Sequence, residues 1–473
     1  MKKALSDFDN GGKRRMIARS LKWPFSAEDT KALIAQMDGH RNTISLALSA
    51  DTLNKMLKSL ENQDKIMDGM SSLKHNVERL TKIQTRIVLN DYQQRILHFF
   101  LRVNPQSNFQ TSVRLRQPLT GLWLTESDST FQKWISLPHS GLWLSGIPGA
   151  GKTVLSGVVI EEALQKSNSS NAIAFFYCDY KNSKSLQLVN ILSSLAVQLA
   201  QQNDKAFHFL EIYYGQLNPA NGLCKEPEAN ELHDLLSLIA STFENVFVIV
   251  DGLDECGDNV EEVAAAVRKL FETSPSISLA IFSRNEQDIR EELADSFAHI
   301  EIAAHTEDLD LFVRSEMGKR KQLRNLSTQA PTLSEEIRQK LVTGAQGMFR
   351  WVTCQLDYLC DLTTNRARRE ALASLPPTLP ETYHRLLQRV IQSGPTVSKL
   401  VRYVLHWTIS EPYMALAEMR DAVSFAISEV DDFGTDDLID TDEIFKRCSS
   451  LVRKAYTTKG EPNIELAHFT VEQ

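Results

Sequence analysis

A glycine-rich segment that ends in a lysine and a threonine, GIPGAGKT, occupies residues 146–153. Its spacing matches G-x-x-x-x-G-K-[ST], in which backbone N–H groups surround phosphate oxygens at the positive end of the following helix. Lys152 is placed to reach the β- and γ-phosphates of a nucleotide, and the Thr153 hydroxyl to hold Mg²⁺. The alternative is a glycine-rich turn without a ligand, which the flanking strand and helix patterns disfavour. The candidate nucleotide-binding residues are Gly146, Ile147, Pro148, Gly149, Ala150, Gly151, Lys152 and Thr153.

A second segment, VFVIVDGLDEC, places carboxylates after an apolar run at 246–250. Asp251 would lie at the carboxyl end of a buried strand, where doubly wound sheets bind ligands, and is the predicted partner of Thr153 in holding Mg²⁺. Asp254 and Glu255 follow on the adjoining loop, within reach of an attacking water molecule. A solvated acidic turn is the alternative interpretation of these two residues.

A third apolar segment, SLAIFSR at 278–284, ends in Arg284. An arginine at a strand end beside a triphosphate could sense the γ-phosphate and neutralise charge that develops in the transition state. A surface salt bridge is an equally good explanation of this arginine. The predicted catalytic residues are therefore Asp254, Glu255 and Arg284.

The elements that must position these residues alternate between short β-rich runs and amphipathic helical stretches. Strands that are separated by helices predict a parallel sheet covered on both faces. We therefore predict an α/β P-loop NTPase fold with a parallel five-stranded sheet. The predicted strands are 141–146, 172–180, 246–252, 278–284 and 299–303.

The flanking segments are predicted to be mainly helical. Residues 1–102 are rich in charge, and interrupted heptads favour a packed helical bundle over a long coiled coil. Residues 103–120, with prolines among polar residues, are predicted to be a linker. Residues 305–395 are predicted to be helical, and residues 396–473 to contain helices followed by a final strand, IELAHFT.

The composition narrows the class of protein. The 473-residue chain carries a net charge of −8, which argues against a broad nucleic-acid-binding surface. No apolar run is long enough to span a bilayer, and the first residues lack the apolar stretch of a signal peptide, so we expect a cytoplasmic protein. The six cysteines show neither a C-x-x-C pair nor a nearby histidine cluster, so neither a disulfide framework nor a zinc site is indicated.

Five segments in this order resemble the landmarks of the fungal NACHT-type P-loop ATPases, a branch of the signal-transducing STAND class that includes nephrocystin-like and animal inflammasome-type proteins. The resemblance covers residues from about 115 to 473. It implies a NACHT domain at 121–304, a helical domain at 305–395 and a truncated winged-helix-like domain at 396–473. The segments are GIPGAGKT, VFVIVDGLDEC, AIFSRNEQDI, GMFRWVTCQLDYL and LPPTLPETYHRLL.

The resemblance also assigns roles to residues. Residues 146–153 match the nucleotide loop, Asp251 matches the Mg²⁺ carboxylate, Asp254 with Glu255 match an acidic pair, and Arg284 matches the sensor position. The segment AHFT resembles a winged-helix motif whose histidine contacts the β-phosphate of ADP, which makes His468 a candidate. Residues 1–102 are similar to an incomplete HeLo-like domain that lacks its first helices, so membrane insertion is not expected.

The family resemblance implies an ATP/ADP-dependent switch with Mg²⁺ as cofactor. The ADP-bound form would be closed, and exchange for ATP would permit homo-oligomerisation and signalling by the N-terminal domain. A protein ligand and a downstream cell-death effector are the implied partners. Gly252 stands where efficient AAA-type ATPases have a glutamate, which predicts slow hydrolysis. An active AAA-like remodeller and a nucleotide-stabilised scaffold are the alternatives. The sequence leaves the activating ligand, the oligomer stoichiometry and the choice between ATP and GTP open.

Overall fold

The computed structural model describes residues 90–473 apart from 220–221, 303–305, 324–330, 412–413, 429–433, 457–460, 468 and 472–473. The predicted HeLo-like bundle therefore lies outside the described residues, except for its last part. His468, the predicted contact of the ADP β-phosphate, also lies outside them.

Five parallel strands form the central sheet, in the order β2-β3-β4-β1-β5. This confirms the predicted parallel five-stranded sheet. Strands β1 to β4 are mostly apolar because both faces of the sheet are covered, whereas the edge strand β5 is largely exposed. They are β1 (Gly141–Ser145), β2 (Asn171–Tyr177), β3 (Asn245–Asp251), β4 (Ile277–Ser283) and β5 (Ala298–Glu301).

Helices cover the sheet on both faces. On β3, Val246, Val248 and Val250 point into the core formed with α1 and α5 to α9, whereas Phe247 and Ile249 point into the core formed with α2, α3 and α4. The helices are α1 (Asp91–Phe100), α2 (Gln106–Leu115), α3 (Ser129–Ser136), α4 (Lys152–Lys166), α5 (Leu188–Ala200), α6 (Asp204–Leu217), α7 (Ala229–Ala240), α8 (Val260–Thr273) and α9 (Gln287–Leu293).

The predicted linker at 103–120 is wrong over most of its length, because it contains α2. Phe109 of α2 packs on Phe175 of β2, with 5.3 Å between ring centroids, and is 1% exposed. The prolines at 105 and 118 lie on either side of this helix instead of breaking it, since proline is tolerated where a helix begins and after it has ended. The helix thus belongs to the core of the P-loop domain.

The predicted end of the N-terminal domain at 102 also needs correction. Helix α1 lies within the range 1–102, but its Ile96, Leu97 and Phe100 are buried in the core that contains α5 and α6. Phe100 stacks on Tyr213 of α6 with 5.7 Å between centroids. The other domain boundaries stay predictions.

The C-terminal part is a helical array that ends in an antiparallel hairpin of β6 (Val452–Tyr456) and β7 (Pro462–Leu466). These elements share one apolar core. The assignment of a winged-helix domain stays a prediction. The helices are α10 (Thr306–Leu323), α11 (Pro331–Gly344), α12 (Phe349–Asp361), α13 (Asn365–Ala373), α14 (Leu379–Gln392), α15 (Pro395–Ser410), α16 (Leu416–Ile427) and α17 (Thr441–Cys448).

Two findings bear on the class of protein. Within the described ranges, no helix is both long and apolar enough to cross a membrane. All six cysteines lie in those ranges and are free thiols, and four of them are buried.

Candidate nucleotide-binding site

The carboxyl ends of the strands bring the predicted site residues to one edge of the sheet. The register pairs Tyr177 with Asp251 and Ser145 with Ser283, so β1 to β4 end close together. The glycine-rich loop follows β1 directly, and the Gly146 N–H donates to the Ser283 carbonyl over 3.2 Å. This is the edge at which open α/β sheets bind ligands.

The loop itself needs glycine at two positions. Gly149 and Gly151 have φ values of 79° and 88°, in the left-handed region that side chains disfavour. Helix α4 begins directly after Gly151, which has no side chain to cap the helix. The N–H groups at the start of this helix point to where phosphate oxygens would lie.

Lys152 spans the loop that it follows. Its Nζ donates to the Gly146 carbonyl over 2.8 Å, and it lies 3.4 Å from the Ile147 carbonyl. Burial lowers the pKa of Lys152, while the negative charges of Asp254 and Asp251 oppose that shift. The ammonium thus lies among carboxylates at the strand ends, where a nucleotide phosphate would meet it.

Asp251 is the most deeply buried carboxylate of the site, with 3% of its surface exposed. Burial raises its pKa to about 7, although a hydrogen bond from the Thr153 hydroxyl and the charge of Lys152 act in the opposite direction. Its Oδ1 atom has no hydrogen-bond partner among the described residues. A buried carboxylate oxygen without a donor, beside a threonine hydroxyl, is the oxygen donor set that Mg²⁺ prefers.

Thr153 and Asp251 therefore fit a magnesium ion that would be held mainly by the nucleotide and by water. In the described part of the chain, no group of three or more His, Cys, Asp and Glu side chains could form a metal site without the nucleotide. Such an arrangement is usual for Mg²⁺, which binds through one or two protein groups together with substrate phosphates.

Asp254 and Arg284 form a pair. Arg284 Nε lies 3.2 Å from Asp254 Oδ2, and the backbone N–H of Arg284 donates to Asp254 Oδ1 over 3.0 Å. The Asp254 side chain is only 4% exposed, so it is not the solvated acidic turn that the sequence left open. The salt bridge considered for Arg284 does exist. Its partner, Asp254, is itself a predicted site residue. The roles of Arg284 in sensing the γ-phosphate and in catalysis stay predictions.

The Glu255 side chain is partly buried and bonded to the backbone after β2. Its Oε2 accepts a hydrogen bond from the backbone N–H of Tyr180 over 3.2 Å. Burial raises its pKa well above the usual range, and the charges of Asp179 and Asp254 add to that shift. The structure thus brings the predicted catalytic and metal residues into one cluster around Lys152. They are Thr153, Asp251, Asp254, Glu255 and Arg284.

Gly252 separates the metal carboxylate from the acidic pair for a steric reason. Its φ is 77°, and a Cβ atom built on it would lie 2.5 Å from the Cys178 carbonyl oxygen. A glutamate at this position would therefore require the end of β2 to move.

The sequence analysis missed the residues that cover the glycine-rich loop. A Cβ atom built on Gly149 would lie 2.9 Å from Arg350 Cβ and 3.4 Å from Leu379 Cδ1. One built on Gly151 would lie 3.5 Å from the Phe349 ring. In the sequence, GMFRW serves only as part of a family landmark. Its first residue, Gly347, has a φ of 87° and lies in the turn that leads into α12.

Comparison with known proteins supports this site. Residues 119–284 match the family model described as nephrocystin 3, N-terminal, and the match includes the loop, Asp251, the acidic pair and Arg284. The predicted resemblance to nephrocystin-3-like P-loop NTPases is confirmed. The match extends over the α/β part that contains the nucleotide loop and β1 to β4.

A curated relative extends beyond that segment. Over 346 residues the chain is 26% identical to the vegetative incompatibility protein HET-E-1 of Podospora anserina, which covers 69% of this chain. The aligned region is 24% of that protein, so the chain spans about a quarter of the relative's length.

Two solved structures are similar at low levels. The Walker-type ATPase PABY2304 of Pyrococcus abyssi superposes with a TM-score of 0.33 at 11% identity, over 72% of this chain and 92% of that one. The Aeropyrum pernix ORC1 protein in complex with DNA gives 0.29 at 11% identity, over 80% and 94%. Superpositions this loose do not establish a shared arrangement of the whole chain.

Proposed function

We propose that the chain binds ATP and ADP with Mg²⁺ at residues 146–153 and acts as a slow nucleotide-dependent switch in signal transduction. The observation that carries this proposal is the juxtaposition of the Lys152 ammonium, the Thr153 hydroxyl and the buried Asp251 Oδ1 at the sheet edge. A binding site for a Mg²⁺-nucleotide is the function for which these three groups are suited together.

In this proposal the residues act as follows. N–H groups of the loop and of the first turn of α4 orient the phosphates. Lys152 exchanges its hydrogen bond to the Gly146 carbonyl for one to a phosphate oxygen. Thr153 and Asp251 hold the Mg²⁺, and the ion when bound neutralises phosphate charge. Arg284 is positioned by Asp254 beside this cluster, from which we propose that it senses the γ-phosphate.

We propose hydrolysis that is slow by the standards of enzymes. Phosphoryl transfer depends on positioning of the attacking water. Gly252 offers no side chain, and Glu255 is engaged by the Tyr180 N–H. The bound nucleotide would then persist long enough to define a state. His468 remains a proposed contact of the ADP β-phosphate.

The contact between the nucleotide loop and the C-terminal helices supports a switch. Because Gly149 lies directly against Arg350 and Leu379, a change in the loop reaches α12 and α14 at once. We propose that ADP favours the closed form, and that ATP favours homo-oligomerisation and signalling by the N-terminal domain. The curated relative is named a vegetative incompatibility protein, and we propose a related role in non-self recognition or programmed cell death.

The test is nucleotide binding and assembly by the purified chain. We expect Mg²⁺-ADP to bind in calorimetry, Lys152→Ala to abolish binding, and Lys166→Ala, an exposed lysine at the other end of α4, to leave it intact. We expect ATP, but not ADP, to shift the chain to larger species in size-exclusion chromatography. Absence of binding by the unchanged chain would refute the proposal.

The same experiment separates the two alternatives. A remodeller would hydrolyse ATP at rates within about 1–10³ s⁻¹, the range typical of enzymes, with no persistent ADP-bound form. A scaffold would assemble equally well as the unchanged chain and as Lys152→Ala. Turnover far below that range together with nucleotide-dependent assembly would favour the switch.

A further inference from the structure

Arg350 occupies a position between the nucleotide loop and the C-terminal hairpin. It is the second residue of α12. A Cβ atom built on Gly149 would lie 2.9 Å from the Arg350 Cβ atom. Gly149 has a φ of 79°, a backbone conformation that residues with a side chain disfavour. The backbone of the loop and the stem of Arg350 are therefore in direct van der Waals contact.

The guanidinium of the same residue donates to the chain that enters the hairpin and to a tyrosine that contacts the chain leaving it. Arg350 Nη2 donates to the Ser450 carbonyl, and Arg350 Nε donates to the Tyr383 hydroxyl over 3.3 Å. The Tyr383 hydroxyl in turn shares a hydrogen bond of 3.1 Å with the Thr470 hydroxyl. Ser450 lies two residues before β6, and Thr470 lies four residues after β7. Arg350 thus contacts the chain before the hairpin directly, and the chain after it through Tyr383.

Ser450 is also fixed from the opposite side. Its hydroxyl donates to Asp357, which lies seven residues after Arg350 on α12 and accepts two hydrogen bonds from Arg320, of 3.0 and 2.9 Å. Since Arg350 and Asp357 lie two turns apart on one helix, α12 holds the turn before β6 as a rigid unit. A displacement of the start of α12 must therefore move that turn.

Nucleotide binding provides the displacement. Phosphate oxygens would compete with the Gly146 carbonyl for the Lys152 ammonium and would attract the N–H groups of the loop. The loop packs against Phe349, Arg350 and Leu379, and packed interiors transmit strain because they contain few voids.

We propose that Arg350 is the positioning residue through which the phosphate-bound conformation of the nucleotide loop sets the position of the β6–β7 hairpin. The inference rests on the nucleotide binding proposed above. Arg350 contacts the loop at Gly149 and groups of the C-terminal part at Ser450 and Tyr383, so its role is to couple the nucleotide loop to the hairpin.

The test measures amide hydrogen exchange in β6 and β7 with and without Mg²⁺-ADP, beside ADP affinity by calorimetry. In the unchanged chain we expect ADP to slow exchange in both strands. Arg350→Met keeps the aliphatic stem against Gly149 but removes the guanidinium. We expect it to bind ADP within about threefold of the unchanged chain, a change below the usual range of allosteric coupling, while exchange in the hairpin no longer responds.

Two further variants sharpen the result. Tyr383→Phe removes only the hydroxyl that joins Arg350 to Thr470, so it tests the coupling even if Arg350→Met does not fold, and we expect a reduced response of β7. Arg366→Met, on α13 with 90% of its side chain exposed, is the matched control and should respond as the unchanged chain does. Partial rescue by Arg350→Lys, which keeps one charged donor nitrogen on an aliphatic stem, would support the same role.

Each contrary outcome is informative. If ADP binds and the hairpin does not respond in the unchanged chain, or if it responds fully in both Arg350→Met and Tyr383→Phe, the coupling role is overturned while the nucleotide site stands. If the unchanged chain binds no ADP, the proposed function fails, and the inference about Arg350 fails with it.

Discussion

Replacement of Asp251 by asparagine should stabilise the protein at high pH and, at the same time, weaken Mg²⁺-nucleotide binding. The carboxyl is buried and its pKa is raised to about 7 in the folded chain, from an ordinary value of 3.8. The folded state therefore holds the proton more tightly than the unfolded state does. Between these two pKa values, stability falls as the pH rises, because unfolding releases the proton.

The magnitude follows from the size of the pKa shift. About three pKa units at about 1.4 kcal/mol each give a penalty of roughly 4 kcal/mol for the ionised Asp251 above neutral pH. Asparagine removes that charge, but its NH₂ group is a new donor in a site whose described residues provide no acceptor for it. An unsatisfied buried donor costs about 1–3 kcal/mol. We expect the difference in the free energy of unfolding, Asp251→Asn minus unchanged, to increase by roughly 2–3 kcal/mol between pH 5 and pH 8.

The assay is chemical denaturation of both proteins across that pH range without nucleotide. Using the change with pH cancels the cost of the amide, which does not titrate. Asp258→Asn, an exposed aspartate after the same strand, should show no such trend. With Mg²⁺-ADP present, the ligand should stabilise the unchanged chain and the control but not Asp251→Asn. A difference that is independent of pH, or that decreases as the pH rises, would refute the reasoning.

Two further predictions concern the elements around the site. Gly252→Ala should lower the free energy of unfolding by at least about 2 kcal/mol, because of its positive φ and the carbonyl 2.5 Å from the new Cβ. Gly215→Ala, on α6 with no described atom near the new Cβ, should raise the free energy of unfolding by about 0.5–1 kcal/mol in the same chemical denaturation assay. Lys181 Nζ lies 3.1 Å from Glu465 Oε2, which joins the end of β2 to β7. A double-mutant cycle with Lys181→Met and Glu465→Gln should give a coupling of about 1 kcal/mol that decreases in high salt, and additive effects would show that the pair contributes nothing.

The sheet and the nucleotide loop could be predicted because their signals are local. Each central strand is an apolar run of five to seven residues, which is what burial on both faces of a parallel sheet requires. The loop has glycines where the backbone has a positive φ, and Asp251 stands at the end of its strand. In each case, the residue type responds to its immediate neighbours in the chain.

The segment 103–120 was assigned wrongly because its local signal is ambiguous. Proline is found at the beginning of helices and after their ends as well as in linkers, so Pro105 and Pro118 do not distinguish the two. What decides the structure is a distant contact: a Cβ built on Gly157 would lie 2.4 Å from Ser112 Oγ, so α2 packs closely against α4. Such a close approach cannot be inferred from the sequence of either helix alone.

The cover of the nucleotide loop could not be predicted for the same reason. Arg350 lies about 200 residues after Gly149, and nothing in the sequence near either residue specifies the other. The pairing of Asp254 with Arg284 is intermediate: each is predicted to reach the site because it follows a strand end, but their mutual salt bridge depends on strand order and side-chain directions. Strand ends can thus be placed from the sequence, whereas the partners of each side chain there need the structure.

The geometry after β3 bears on the choice between a switch and a motor. A motor needs a carboxylate that orients water beside the metal ligand, yet the residue after Asp251 has a left-handed backbone pressed against the Cys178 carbonyl. The next carboxylates are Asp254, paired with Arg284, and Glu255, which accepts a hydrogen bond from the Tyr180 N–H. Neither stands directly after the metal carboxylate to orient a water molecule, so we expect slow hydrolysis. Slow hydrolysis is a defect in a motor, but it gives a switch the lifetime that it needs to assemble with other copies.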